Sequence, residues 1–120
     1  MVEEPKRYIY VIASDRDGPV KVGVSNDPAK RLAQLQTGHD KLLQLFAAEE
    51  CLASHALALE TVIHRQLGYL RLVGEWFSLD VDSAIAEVQF AIIRFASDDS
   101  FERELRRKSL TRSARKRKKT

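Results

Sequence analysis

Two β-rich runs joined by five turn residues constrain this chain more than anything else in it. Arg7–Ala13 (RYIYVIA) and Pro19–Val24 (PVKVGV) are dense in aromatic and β-branched residues, and Ser14-Asp-Arg-Asp-Gly18 lies between them. Aromatic and β-branched side chains suit a pleated surface, whereas Ser, Asp and Gly suit the reversal of the chain. So short a connection makes an antiparallel hairpin the simplest pairing. Alternation along the first strand puts Tyr8, Tyr10 and Ile12 on one face and Ile9 and Val11 on the other.

Beyond the hairpin the apolar period lengthens to that of helices. Asp27-Pro28 reads as a helix start, because the Asp side chain can accept from free backbone N–H groups and Pro suits the first helical position. Leu32 and Leu35 are the core contacts of this helix, and Thr37-Gly38 ends it. Leu42–Cys51 reads as a third strand, although its leucines leave a helix open. Ala53–Leu67 is the next helix, with Leu52, Ala56, Leu59, Ile63 and Leu67 drawing one apolar stripe and Gly68 as a stop. Glu75–Leu79 reads as a short extended segment. Asp80 or Asp82 then caps a last helix to about Phe95, with Val81, Ile85, Val88, Ile92 and Phe95 as its stripe. The expected fold class is α/β of the α+β type: a small antiparallel sheet of about three strands flanked by helices. The domain is expected over residues 1–97, followed by a basic, disordered tail over 98–120.

The charge is unevenly spread. Residues 101–120 carry ten Lys/Arg against two Glu, a balance of +8, while residues 1–100 carry ten Lys/Arg against fifteen Asp/Glu, a balance of −5. A basic run of this kind attracts polyanions by counterion release, nucleic acid foremost; a solvated solubility tail is the plain alternative. No apolar run approaches the ~18 residues that span a bilayer, so no membrane partner is expected. No hydrophobic segment follows the charged N-terminus, and the single Cys51 cannot form an internal disulfide. The expected setting is intracellular: cytoplasmic, and nucleoid-associated in a bacterium.

Singly, the polar candidates have ordinary readings. Tyrosines in hairpins pack, and Glu60 and His64 are four apart on one helix face. A zinc site from Cys51, His55 and His64 lacks a fourth ligand and any usual spacing. Taken in order, the residues say more. Tyr8-Ile9-Tyr10, then Lys21-Val22-Gly23, Arg31, Glu60 and His64, followed by Gly74-Glu75-Trp76-Phe77, resemble the GIY-YIG nuclease superfamily. The resemblance covers about Arg7 to Leu79 and is nearest to the phage and meiotic-gene branch. Two positions depart from the pattern: Tyr8 stands where the first tripeptide has Gly, and Lys21 where many members have Tyr.

That resemblance implies a hairpin fold and phosphodiester hydrolysis. Glu60 would hold a divalent cation, Mg²⁺ or Mn²⁺, and Arg31 would bridge the transition-state oxygens with its fork of donors. Tyr10 would activate water, as a phenolate or through a metal-bound hydroxide. Lys21 would supply the cation that lowers its pKa, or would itself contact phosphate. His64 would orient Glu60 or relay a proton. Gly23 would let phosphate approach the backbone, with a bulge glycine as the ordinary alternative. Tyr8 and His39 are candidate DNA contacts, and Arg115, Lys116, Arg117, Lys118 and Lys119 would add affinity without sequence preference. Glu49 and Glu50 rank below Glu60 as metal ligands, and Trp76 and Phe77 are assigned to the core.

The leading expectation is a metal-dependent endonuclease acting on DNA, with a protein partner as one source of specificity. The alternative is a catalytically degenerate module that binds nucleic acid, its chemistry lost at Lys21. A third class is a protein-interaction domain docking through Phe90 and Ile93 of the last helix. On the nuclease reading Tyr10, Lys21, Arg31, Glu60 and His64 are expected to converge on one concave face.

Overall fold

The computed structural model describes residues 4–97; the tail positions Arg115, Lys116, Arg117, Lys118 and Lys119 lie outside that span. The elements run β1 (Lys6–Ala13), β2 (Val20–Ser25), α1 (Pro28–Gln36), β3 (Gln44–Leu52), α2 (Ala53–Gln66), a 3-10 turn (Gly68–Leu70), β4 (Trp76–Phe77) and α3 (Val81–Ser97). The sheet is antiparallel with order β3-β1-β2-β4. The α+β class holds. The sheet has four strands, the extra one being the two-residue β4 within the segment expected to be extended. The leucine-rich third region is a strand and not a helix.

The hairpin register sets the two faces. Tyr8 pairs with Ser25, Tyr10 with Gly23 and Ile12 with Lys21, while Lys21 pairs on its other side with Trp76 of β4. Directly paired residues share a face. Tyr8, Tyr10, Ile12, Lys21, Gly23 and Trp76 therefore lie on one side of the sheet. Ile9, Val11, Val20, Val22 and Phe77 lie on the other, fully buried against Leu59 and Ile63 of α2 and Val81, Ala84 and Val88 of α3. Tyr10 and Ile12 form a second, smaller cluster with Leu43, covered by Leu32 and Leu35 of α1 and by Trp76. The sheet is thus sandwiched between α1 and the α2–α3 pair.

Local chemistry starts the helices. The Asp27 side chain accepts from the Lys30 N–H at 3.1 Å, and Pro28 occupies the first turn of α1. Asp80 Oδ2 accepts from the Ser83 N–H at 2.9 Å and so caps α3, while Asp82 faces Arg16 at 3.4 Å. The α2 stripe is shorter than its spacing implies. Leu52 ends β3 and stays 38% exposed, so Ala56, Leu59, Ile63 and Leu67 carry the packing.

Candidate active site

The hairpin places the first half of the site. Tyr10 sits on the central strand with its ring over Gly23. A Cβ on that glycine would stand 2.3 Å from Tyr10 Oη, 2.6 Å from Tyr10 Cζ and 2.8 Å from Glu75 Oε2. Only a residue without a side chain fits under that ring. The Tyr10 hydroxyl donates to Glu75 Oε2 at 3.2 Å, and Lys21 Nζ lies 3.4 Å from the same oxygen. Lys21 is 8% exposed, so its ammonium requires a counter-charge, and Glu75 supplies it. Arg31, one turn past the cap of α1, lies against the Tyr10 hydroxyl and is itself held further protonated by it.

Aromatic packing closes this side. Lys21 Nζ lies 5.6 Å from the Trp76 ring centroid, and His39 stacks on the same indole at 5.8 Å. His39 Nδ1 also accepts from the Lys41 N–H at 3.3 Å, and the ring packs against the indole. Trp76 is half-buried beside the site, and Phe77 is fully buried in the core. Tyr8 is half-buried further along the Tyr10 face, across from Ser25.

The second half comes from α2, on the opposite layer, and reaches the site where β4 runs out. The Val22 N–H donates to the Glu75 carbonyl at 3.1 Å, which is where the ladder between β2 and β4 stops. His64 Nε2–H then donates to the Val22 carbonyl at 2.7 Å, and the Val24 N–H turns towards the Glu60 carboxylate. Two side chains four apart on one helix thereby satisfy backbone groups that a longer β4 would have paired. Burial pushes the Glu60 carboxyl above its ordinary value and the Glu75 charge adds to it; His64, the Val24 N–H and Lys21 oppose the rise.

Tyr10, Lys21, Arg31 and Glu60 are therefore brought together at the edge of β2, and the residue coupled to all four is Glu75. Tyr10, Lys21 and Arg31 approach from one face of the sheet and Glu60 and His64 from the other, so the meeting place is an edge and not a single concave face. Three expected roles change. In place of the lowered pKa expected for Tyr10, burial first, then Glu75, drives it up to about 12 against the opposing pull of Arg31. Lys21 does not activate it, because the ammonium pairs with Glu75. The space in front of Gly23 is filled by Tyr10 and Glu75, so the glycine makes room for the site's own side chains and not for phosphate.

Glu75 lies in the quoted Gly74-Glu75-Trp76-Phe77 stretch but has no role assigned from sequence. Its one signal in the sequence is a lone acid directly ahead of an aromatic pair. Glu49 and Glu50 lie on β3, at the opposite edge of the sheet. Glu49 accepts from Gln89 Nε2 at 3.1 Å and Glu50 pairs with Lys6. Among the described residues no three His, Cys, Asp or Glu side chains stand together as a metal cluster, which includes the Cys51, His55 and His64 set.

The fold is a small α+β module with Tyr, Lys, Arg and two Glu gathered at the edge of its second strand. The chain belongs to the T5orf172 domain family, whose model matches residues 7–94, and with them every element that carries the site. That family is associated with nuclease-like domains. No curated protein and no solved structure matches the chain. Among the described residues no helix is long and apolar enough to cross a membrane.

Proposed function

We propose that this protein is a metal-dependent endonuclease of the GIY-YIG type that hydrolyses DNA phosphodiester bonds. The observation that carries the reading is the cluster of Tyr10, Lys21, Arg31 and Glu60 around Glu75, inside a chain of a nuclease-associated family.

The donor set fits Mg²⁺ or Mn²⁺. Mg²⁺ keeps most of its waters and takes one or two carboxylates. Glu60 is a half-buried carboxylate raised by burial and by the negative charge of Glu75, a combination that a dication relieves. Glu60 would hold the ion, which when bound supplies Lewis-acid polarisation of a phosphate oxygen. Arg31 presents a planar fork of donors to the non-bridging oxygens as they gain charge. Lys21 lies at the same edge, buried and paired with Glu75. Trp76 and His39 wall the site and keep Lys21 in place. The basic residues Arg115, Lys116, Arg117, Lys118 and Lys119 add phosphate affinity without reading bases.

The test is nicking of supercoiled plasmid with Mg²⁺ or Mn²⁺ by wild type and by Glu60→Gln. The expected result is cleavage by wild type alone, with equal DNA affinity, since the variant removes a negative charge. Cleavage by Glu60→Gln at the wild-type rate would refute the metal assignment. One observation favours a second reading, a DNA-binding module without turnover: Tyr10 is a neutral phenol and Lys21 is neutralised by Glu75. Binding without nicking on supercoiled, linear, branched and single-stranded DNA would establish that reading instead.

A further inference from the structure

Hydrolysis needs a group that takes a proton from water, and the resemblance points to Tyr10 for that work. Tyr10 is badly placed for it. The side chain is 1% exposed, lies under α1 and beside Trp76, and already spends its hydroxyl proton on Glu75 Oε2. Lys21 is nearly as buried, and its Nζ is already engaged with Glu75. The acid that meets solvent is Glu75, whose side chain is 34% exposed. Its Oε2 is held from two directions, by the Tyr10 hydroxyl at 3.2 Å and Lys21 Nζ at 3.4 Å, and Oε1 is the oxygen that takes no part in these two contacts. Gly23 is the third support, because any side chain there would collide with Oε2 at 2.8 Å.

Resting on the nuclease reading above, we propose that Glu75 is the general base of this site, and that Tyr10 and Lys21 are positioning residues that aim it. In the step, an O–H bond of water breaks and its proton forms a new O–H bond on Glu75 Oε1. The freed electron pair on the water oxygen makes the new P–O bond. The electron pair of the breaking P–O bond leaves on the sugar oxygen, which takes a proton from solvent, and Glu75 returns its proton to bulk water afterwards. Tyr10 stays a neutral phenol throughout. The charged and titratable groups facing this pair are Arg31 from α1, Lys21 from β2 and Glu60 from α2. Burial raises the Tyr10 pKa to about 12, in keeping with a donor and not a base.

The experiment compares Glu75→Gln, Glu75→Ala and Tyr10→Phe in Mg²⁺-dependent plasmid nicking, with DNA affinity measured in parallel by fluorescence anisotropy. General-base removal costs about 10²–10⁴-fold in rate. Glu75→Gln is expected to lose at least 100-fold in kcat with KM within about threefold of wild type, because the amide cannot take a proton. Tyr10→Phe is expected to lose about tenfold, since Lys21 still holds the carboxylate. Added formate is expected to restore part of the rate to Glu75→Ala and to leave Glu75→Gln unchanged, an outcome that a merely structural role would not produce. Should Glu75→Gln fail to fold, Glu75→Asp, which keeps the charge opposite Lys21, is expected to nick more slowly than wild type and faster than Glu75→Ala. Wild-type rates in Glu75→Gln, or a slower Tyr10→Phe than Glu75→Gln, would overturn the assignment and leave the nuclease reading standing. A wild type that binds DNA and nicks none of it would overturn both.

Discussion

Gly23→Ala tests the packing at the heart of the site. The backbone at Gly23 has an ordinary negative φ, so the substitution carries no backbone strain. In a site with free space it would stabilise the protein by about 0.4–1 kcal/mol, through the lost freedom of the unfolded chain. Here the new methyl would stand 2.3 Å from Tyr10 Oη and 2.6 Å from Cζ, and the tyrosine is fully buried with Leu32, Leu35 and Trp76 packed around it. Overpacking of this kind costs about 1–3 kcal/mol. Moving the ring also breaks the hydrogen bond to Glu75, worth about 1.5 kcal/mol at the low end for a charged partner that is partly exposed. The clash and the lost bond outweigh the backbone gain, and the net expectation is a loss of about 2–4 kcal/mol. For a domain of this size that lowers Tm by roughly 10–25 °C. Urea unfolding followed by circular dichroism measures it, in a cycle with Tyr10→Phe. Phe removes the atom at 2.3 Å and leaves the one at 2.6 Å, so the double variant should lose less than the two singles together. A Gly23→Ala protein as stable as wild type, or more so, would refute the claim that Tyr10 and Glu75 occupy the space before this glycine.

Four further outcomes are expected. Tyr10 titrates at about 12 when folded and near its ordinary value of 10 when unfolded, so the unfolded chain sheds the proton first. Its contribution is whole below pH 10 and is lost as the pH rises towards 12, on the order of 2–3 kcal/mol, and urea midpoints of Tyr10→Phe should fall less over that window than those of wild type. His64→Ala leaves the Val22 carbonyl without its donor and should cost about 1–3 kcal/mol, with His64→Gln recovering part of it in the same unfolding assay. Arg31→Ala should lower nicking by about 10²-fold or more, by analogy with removing one oxyanion donor, and leave the fold intact by circular dichroism. Deleting residues 112–120 removes six basic residues and no acidic one. The slope of log K against log salt for DNA binding should become shallower by up to about 5, and an unchanged slope would show that these residues leave phosphate untouched.

What the sequence reveals is what local pattern encodes. The β1–β2 hairpin, the Asp27–Pro28 start of α1 and the apolar stripe of α3 all follow from neighbours within a few residues, and all stand in the structure. β4 could not be read as a sheet member because two residues carry no period; only the pairing of Trp76 with Lys21 and of Phe77 with Val20 makes it a strand. Tyr10, Lys21, Arg31 and Glu60 were legible through their order along the chain, which is itself a long-range signal. Glu75 was not, because its place is defined by a contact with Tyr10 across 65 positions, and nothing in Gly74-Glu75-Trp76-Phe77 reveals which way the carboxylate points. The protonation of Tyr10 was hidden for a related reason. It depends on burial under α1, which spacing does not encode.

The closure of β2 by Glu60 and His64 has a bearing on how the protein must be handled. An open strand edge is a template on which a second molecule can add its own backbone, and proteins blunt such edges with charged or covering side chains. Here the blunting group at Val24 is the same carboxylate proposed to hold the metal, and its neighbour at Val22 is the imidazole one turn on. On the proposed function, a truncated side chain at position 60 would therefore remove the metal ligand and unmask a backbone donor in one stroke. Glu60→Ala is expected to aggregate at concentrations where wild type stays monodisperse by light scattering. Glu60→Gln keeps an acceptor for the Val24 N–H, and is the variant suited, on the proposed function, to trapping a complex with uncut DNA.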